Sequence, residues 1–188
     1  MPYMARARNF RHANKKALTP MTDFESGSMA ESRPKVKSWR KKLQDSKNLP
    51  RIVVLDEKQK KTYGEGTSVI PAPIEVDEVM RKVPKGKLIT ISQIAAALAK
   101  KHGTDHGDHM AATLFSNIAA RAAVEAAEAG EKDITPYWRT VQEGGVLREK
   151  YPGGTEGQKA LLEKEGHVII QKGKKLVAQD FETKRFQL

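Results

Sequence analysis

Cysteine is absent from all 188 residues. A chain without it has no disulfide framework, no thiolate zinc site and no thiol nucleophile. The lack also suits a reducing compartment. Hydrophobic residues make up only 38% of the sequence and aromatics 6%, so part of the chain is expected to stay outside a packed core. No apolar run approaches the ~20 residues that span a bilayer, so the chain reads as soluble, with no membrane partner. Acidic residues are scarce at one end. Residues 1–50 hold 12 Lys or Arg against four Asp or Glu, whereas residues 51–188 hold 22 against 19, which divides the net +11 into +8 and +3. A basic arm on a near-neutral body suits a polyanion partner, most often nucleic acid, or else it is a solvated tail.

The length fits one domain with appendages. Residues 1–35 are expected to be a disordered basic arm, because Arg6, Arg8, Arg11, Lys15 and Lys16 have few apolar neighbours. The arm lacks the apolar core of a secretory signal. Its Arg-bearing start is like an organelle transit peptide but poor in serine, and Met21 and Met29 are alternative starts. Residues 36–72 form an N-terminal extension: a short basic helix or arm around Trp39 and Leu43, a strand at Arg51–Asp56, and a polar connection over 57–72.

The main domain is expected over 73–170. Pro73 sits where a first-turn proline belongs, and Ile74, Val79, Met80 and Val83 share one helical face until Pro84. Thr90-Ile91-Ser92-Gln93 fits a capping box, predicting a helix through Lys101 with Ile94, Ala97 and Leu98 inward. His102–Gly107 reads as a polar loop. Asp108 can cap a long Ala-rich helix ending near Gly130. Its wheel puts Met110, Ala111, Leu114, Phe115, Ile118 and Ala122 on a buried stripe, with His109, Thr113, Ser116 and Asn117 opposite and Arg121 at the boundary. Short polar donors opposite a buried stripe are what a groove-reading helix needs, although most amphipathic helices look alike and read nothing.

A strand at Tyr137–Gln142, a Glu143-Gly144-Gly145 turn and a return strand from Val146 follow. The loop Tyr151–Gly154 then leads to a helix near Glu156–Glu165 closed by Gly166. Residues 171–188 complete a last hairpin, Val168–Gln171 with Leu176–Phe181, and a tail. Helix, turn, helix and Gly-tipped hairpin form the order of a winged helix, an α/β fold. His102, His106 and His109 with Asp105 and Asp108 are the most metal-like cluster, but their spacing matches no standard site. A solvated loop is expected there, and neither a metal nor a cofactor is expected anywhere.

Several motifs stand in register. Val83-Pro84-Lys85-Gly86-Lys87 is followed by Thr90 and Gln93-Ile94-Ala95, then by Pro136-Tyr137-Trp138-Arg139-Thr140-Val141. Downstream come Gly144-Gly145, Tyr151, Gly153-Gly154, Leu161-Leu162 and Glu165-Gly166-His167. Over roughly residues 74–170 this pattern resembles the DNA-binding domain of the methylguanine-DNA methyltransferases. In that family a cysteine thiolate in a Pro-Cys-His-Arg-Val run takes the alkyl group from a damaged base. Here Tyr137 occupies the Cys slot, Trp138 the His slot and Ala129 the slot of an upstream Asn, while the relay acid remains as Glu165. A general acid–base pair without a nucleophile has nothing to activate, so alkyl transfer to this chain is excluded.

The resemblance therefore points to the alkyltransferase-like branch, which replaces the Cys but still binds alkylated DNA and hands it to repair. That branch typically carries Trp and then His at these two positions, where this chain has Tyr137-Trp138. The family's nucleotide-rotating tyrosine falls at Ile91 and its space-filling Arg at Thr113, two departures that weaken the expectation of base flipping. The implied function is non-enzymatic recognition of alkylated or otherwise modified DNA. Its groove face would comprise His109, Thr113, Ser116, Asn117 and Arg121 with Ser92 and Gln93, and the 143–145 turn would serve as wing. The lesion pocket would comprise Tyr137, Trp138, Arg139, Tyr151, Gly153, Gly154 and Glu165. Tyr137 and Trp138 either stack on a base or fill the core, Arg139 either serves the motif or pairs with Glu165, and the glycines either admit a ligand or only turn the chain.

Two rivals remain: a general DNA- or RNA-binding module, and an enzyme with new chemistry in the old pocket. The expected partners are double-stranded DNA and a repair protein, for a monomer located in the cytoplasm on the nucleoid if the cell is prokaryotic.

Overall fold

The computed structural model describes residues 37–188, so the expected basic arm lies outside the described residues. Ser38 accepts the Lys41 amide and starts α1, Trp39–Gln44, whose Leu43 is buried. β1 is Arg51–Val54. The 57–72 connection is more than the linker its polarity suggests. It contains α2, Glu57–Tyr63, opened by an Asp56–Gln59 capping box, and β2, Thr67–Ile70. Nothing in α2 is buried and β2 buries two successive residues, Ser68 and Val69, so neither periodicity reaches the sequence.

Pro73 opens α3, Pro73–Arg81, and Glu75 accepts the Ala72 amide at 3.0 Å. β3, Ile89–Thr90, feeds α4, Ile91–His102, through the expected capping box, and α4 ends at Gly103 in the left-handed region. β4, His106–Gly107, lies parallel to β2, which is antiparallel to β1, giving the order β1-β2-β4. The supposed loop between the helices is thus stitched down. Asp105 accepts both the amide and the hydroxyl of Thr67, and the Asp108 amide donates to the Val69 carbonyl at 2.8 Å. Gly107 is required by contact, since any Cβ there would run into the Ala95 carbonyl.

α5, His109–Glu128, starts at Asp108 as its side chain predicts, but its buried face is shifted from the expected stripe, of which Ala122 is buried and Phe115 and Ile118 pack partly against the core. Ala112, Ser116, Ala119, Ala120 and Ala123 face the core, while Met110 is 79% and Leu114 57% exposed. The large apolar residues dominate any amphipathic reading. The packing instead uses the small ones, because α1, α3 and α4 all pack against α5 and alanine permits that crowding.

Two 3-10 turns, Tyr137–Arg139 and Glu143–Gly145, flank β5, Thr140–Val141, which pairs parallel with β3. The strand expected over Tyr137–Gln142 is therefore mostly turn, and from the return segment Val146 makes one bridge, to Val177. α6, Gly154–Glu163, precedes the antiparallel hairpin β6, Ile169–Lys172, with β7, Lys175–Ala178, and α7, Phe181–Lys184. The core has two parts, one around α3, α4 and α5 and one around Leu88, Val141, Leu147, Leu162 and Phe181. Trp138 packs against both.

Candidate nucleic-acid interface

The turn between α4 and α5 is pinned to β2, so the first two turns of α5 are held at the surface. There His109, Met110 and Leu114 are exposed and Thr113 is half-buried. Beside them a cavity of about 540 Å³ is walled by Ile91, His109 and Thr113 from the two helices. Gln142, Glu143, Val146, Arg148, Glu149 and Lys150 wall it from the following loop, and Lys175 from the hairpin. The 143–145 turn and the helix start therefore share one concave surface with Lys150 and Lys175 on it. Ser92 and His109 also line a second hollow of about 500 Å³ with Tyr63 and His106.

Three of the sequence-chosen groove residues stand elsewhere. Ser116 is fully buried and its hydroxyl donates to the Thr113 carbonyl at 2.8 Å, a correction that follows from the rotation of α5. Gln93 accepts the Thr90 amide at 3.1 Å and donates to the Phe186 carbonyl at 2.7 Å, so both ends of its amide cap α4 and hold the C-terminal tail. Arg121 is exposed but sits 4.9 Å over the Trp39 ring, which Lys42 also meets at 3.9 Å. The acids at that end of α5 secure α1: Glu125 accepts the Arg40 amide and Glu131 pairs with its guanidinium. Asn117 is half-buried, within 3.4 Å of Arg148 Nη2.

The residues assigned to the lesion pocket do come together, but largely inside. Tyr137 is 5% and Tyr151 3% exposed, and their rings meet edge to face at 5.5 Å. Trp138 lies against Tyr137 at 5.4 Å and donates from Nε1 to Glu165 at 2.8 Å. Arg139 grips the same carboxylate through Nε and Nη2 and gives Nη1 to the Val83 carbonyl. The Gly86 amide donates to Glu165 as well, at 3.1 Å. Burial pushes the Glu165 carboxyl up, yet the bonds from Arg139, Trp138 and Gly86 outweigh it and hold the group below its ordinary value. Burial, with Tyr151 nearby, raises the Tyr137 phenol above its ordinary value. Gly153 and Gly154 have φ of +76° and +63° and form the start of α6, which the turn alone explains.

The sequence reading passed over Gln158, which organises this region. It is fully buried, accepts the Arg148 amide at 2.6 Å and donates to the carbonyls of Trp138 and Thr140, each at 2.9 Å. Its place four residues before buried Leu162, on the inward face of α6, was the available signal. His106 and His109 share the second hollow, which His102 does not line. His102 bonds Glu75 at 2.8 Å, His106 lies beside Tyr63, and among the described residues no group of three or more His, Asp or Glu side chains is placed to hold a metal.

Fold and surface define an α/β domain of helix-turn-helix type with a short β hairpin after it. The model of the 6-O-methylguanine DNA methyltransferase DNA-binding domain matches residues 72–167, just over half of the chain, and the chain belongs to that family. No curated protein matches it in sequence. A crystal structure of S. pombe Atl1 in complex with damaged DNA containing O6-carboxymethylguanine is similar over 62% of this chain and 94% of that one, with 18% identity and a TM-score of 0.44. A second, of S. pombe ATL in complex with DNA, covers the same shares with 19% identity and a TM-score of 0.46.

Proposed function

We propose that the protein is a non-enzymatic, alkyltransferase-like DNA-binding protein that recognises alkylated or otherwise modified bases in duplex DNA and passes the site to a repair partner. One observation carries this reading: the family's DNA-binding domain spans residues 72–167, while the position that the resemblance aligns with the acceptor thiolate holds Tyr137, which is buried. His109, Thr113 and the exposed apolar pair Met110 and Leu114 face the groove, with Lys150 and Lys175 near the phosphates. The modified base is received in the open cavity beside Ile91 and Arg148, and Tyr137 and Trp138 support that cavity from within. The protein acts as a monomer.

Burial of Tyr137 and Ile91 in the tyrosine slot favour a second reading, DNA binding without lesion recognition. Fluorescence anisotropy with plain, O6-methylguanine and O6-carboxymethylguanine duplexes separates the two. Lesion recognition requires tighter binding of a modified duplex, whereas equal affinity for all three supports the second reading.

A further inference from the structure

Arg148 is 6% exposed yet lines the cavity beside α5. Among the described residues no carboxylate pairs with it, and its Nε has no hydrogen-bond partner. Its one side-chain bond, from Nη2 to Asn117 Oδ1, is 3.4 Å long, at the far limit for such a bond. Arg139, the other deeply set arginine of this region, gives three nitrogens to Glu165 and the Val83 carbonyl. A guanidinium offers five N–H donors in a planar fork that matches the two oxygens of a carboxylate or phosphate. Burying that charge unpaired is unfavourable, and an oxyanion arriving in the cavity would relieve it.

The group is also held in place. Gln158 fixes the Arg148 backbone, and the guanidinium lies 4.7 Å over the Tyr151 ring. Lys150 and Lys175 line the same cavity against Glu143 and Glu149, so with Arg148 the cations number three and the acids two.

We propose that Arg148 forms an oxyanion site in this cavity, taking either a phosphate of the DNA backbone or a carboxylate carried on a modified base. This deepens the DNA-binding reading and rests on it for the identity of the ligand. The test has two parts. In the wild-type protein, titration with inorganic phosphate should shift the Arg148 Nε–H resonance; this part survives even if variants fold poorly. Arg148→Met, checked for an unchanged melting profile, is then compared with the parent on plain, O6-methylguanine and O6-carboxymethylguanine duplexes. A tenfold or greater loss on all three, with a shallower salt dependence by about one phosphate contact, assigns the site to backbone phosphate. A loss confined to the carboxymethylated duplex assigns it to the adduct carboxylate. An unmoved resonance, or a folded Arg148→Met protein that binds every duplex like the parent, overturns the proposal. If the parent binds all three duplexes equally, lesion recognition fails, while a uniform loss in Arg148→Met still upholds the oxyanion site.

Discussion

The Arg139 guanidinium holds the Glu165 carboxylate with two nitrogens, Nε at 3.0 Å and Nη2 at 2.8 Å. Both side chains are largely buried, so the acid that the family resemblance aligns with a relay group is here a structural anchor between the 137–139 turn and the Pro84–Lys87 turn.

Glu165→Gln should therefore unfold more easily, by about 3–5 kcal/mol, because it strands a buried guanidinium. The pH dependence has a fixed sign. A carboxyl held below its unfolded value of ~4.3 stabilises fully above that value, and the stabilisation is lost as pH falls through the folded value. Denaturant titrations of both proteins at neutral and acid pH should show the gap narrowing on acidification. A gap that widens would contradict the pairing.

Returning the thiol alone should not return the chemistry. In Tyr137→Cys the neighbour is Trp138, which cannot act as a base, and Glu165 is committed to Arg139. Labelled alkylated DNA should leave the variant protein unlabelled, and loss of the buried ring should cost about 3 kcal/mol or more. Rapid stoichiometric labelling would show that Tyr137 was the only obstacle.

The face of α5 is open to a direct check. Ala119→Leu, fully buried against neighbouring helices, should lose about 1–3 kcal/mol by overpacking. Leu114→Ser, on the exposed side, should stay within about 0.5 kcal/mol. The opposite ranking in thermal melts would restore the wheel that the large apolar residues suggest.

His167 gives a second pH signature. It is 4% exposed, and among the described residues neither ring nitrogen has a hydrogen-bond partner; burial lowers its proton affinity and outweighs the upward pull of Asp180 and Glu165. An imidazole depressed in the folded state lets the unfolded chain take the proton first. Stability should then begin to fall as pH drops below ~6.5 and continue until the folded value is passed. His167→Leu should flatten the melting temperature over that interval, and an equally steep profile would place the titration elsewhere.

Much of the scaffold was legible in the sequence because it is written in local chemistry. The Thr90–Gln93 capping box, Pro73 and Asp108 each act on their own backbone within three residues, and each starts the helix it predicts. The family motifs were legible for the same reason. The parts that were missed depend on distant partners. Ser116 is buried because three helices converge on the alanine face of α5, and β2 owes its central position to β1 and β4. Gln93 is spent on the Phe186 carbonyl, 93 residues away, which no local pattern reveals. Tyr137 and Tyr151 pack on each other inside the protein, and Arg148, itself buried, lines the cavity instead.

The most direct measurement is the affinity of the full chain for an O6-alkylguanine duplex against the same duplex unmodified, at one fixed salt concentration, with the protein recovered and checked for a covalent adduct. Recognition without repair predicts tighter binding to the modified duplex and protein of unchanged mass. Equal affinities, or a mass increased by the alkyl group, would contradict it.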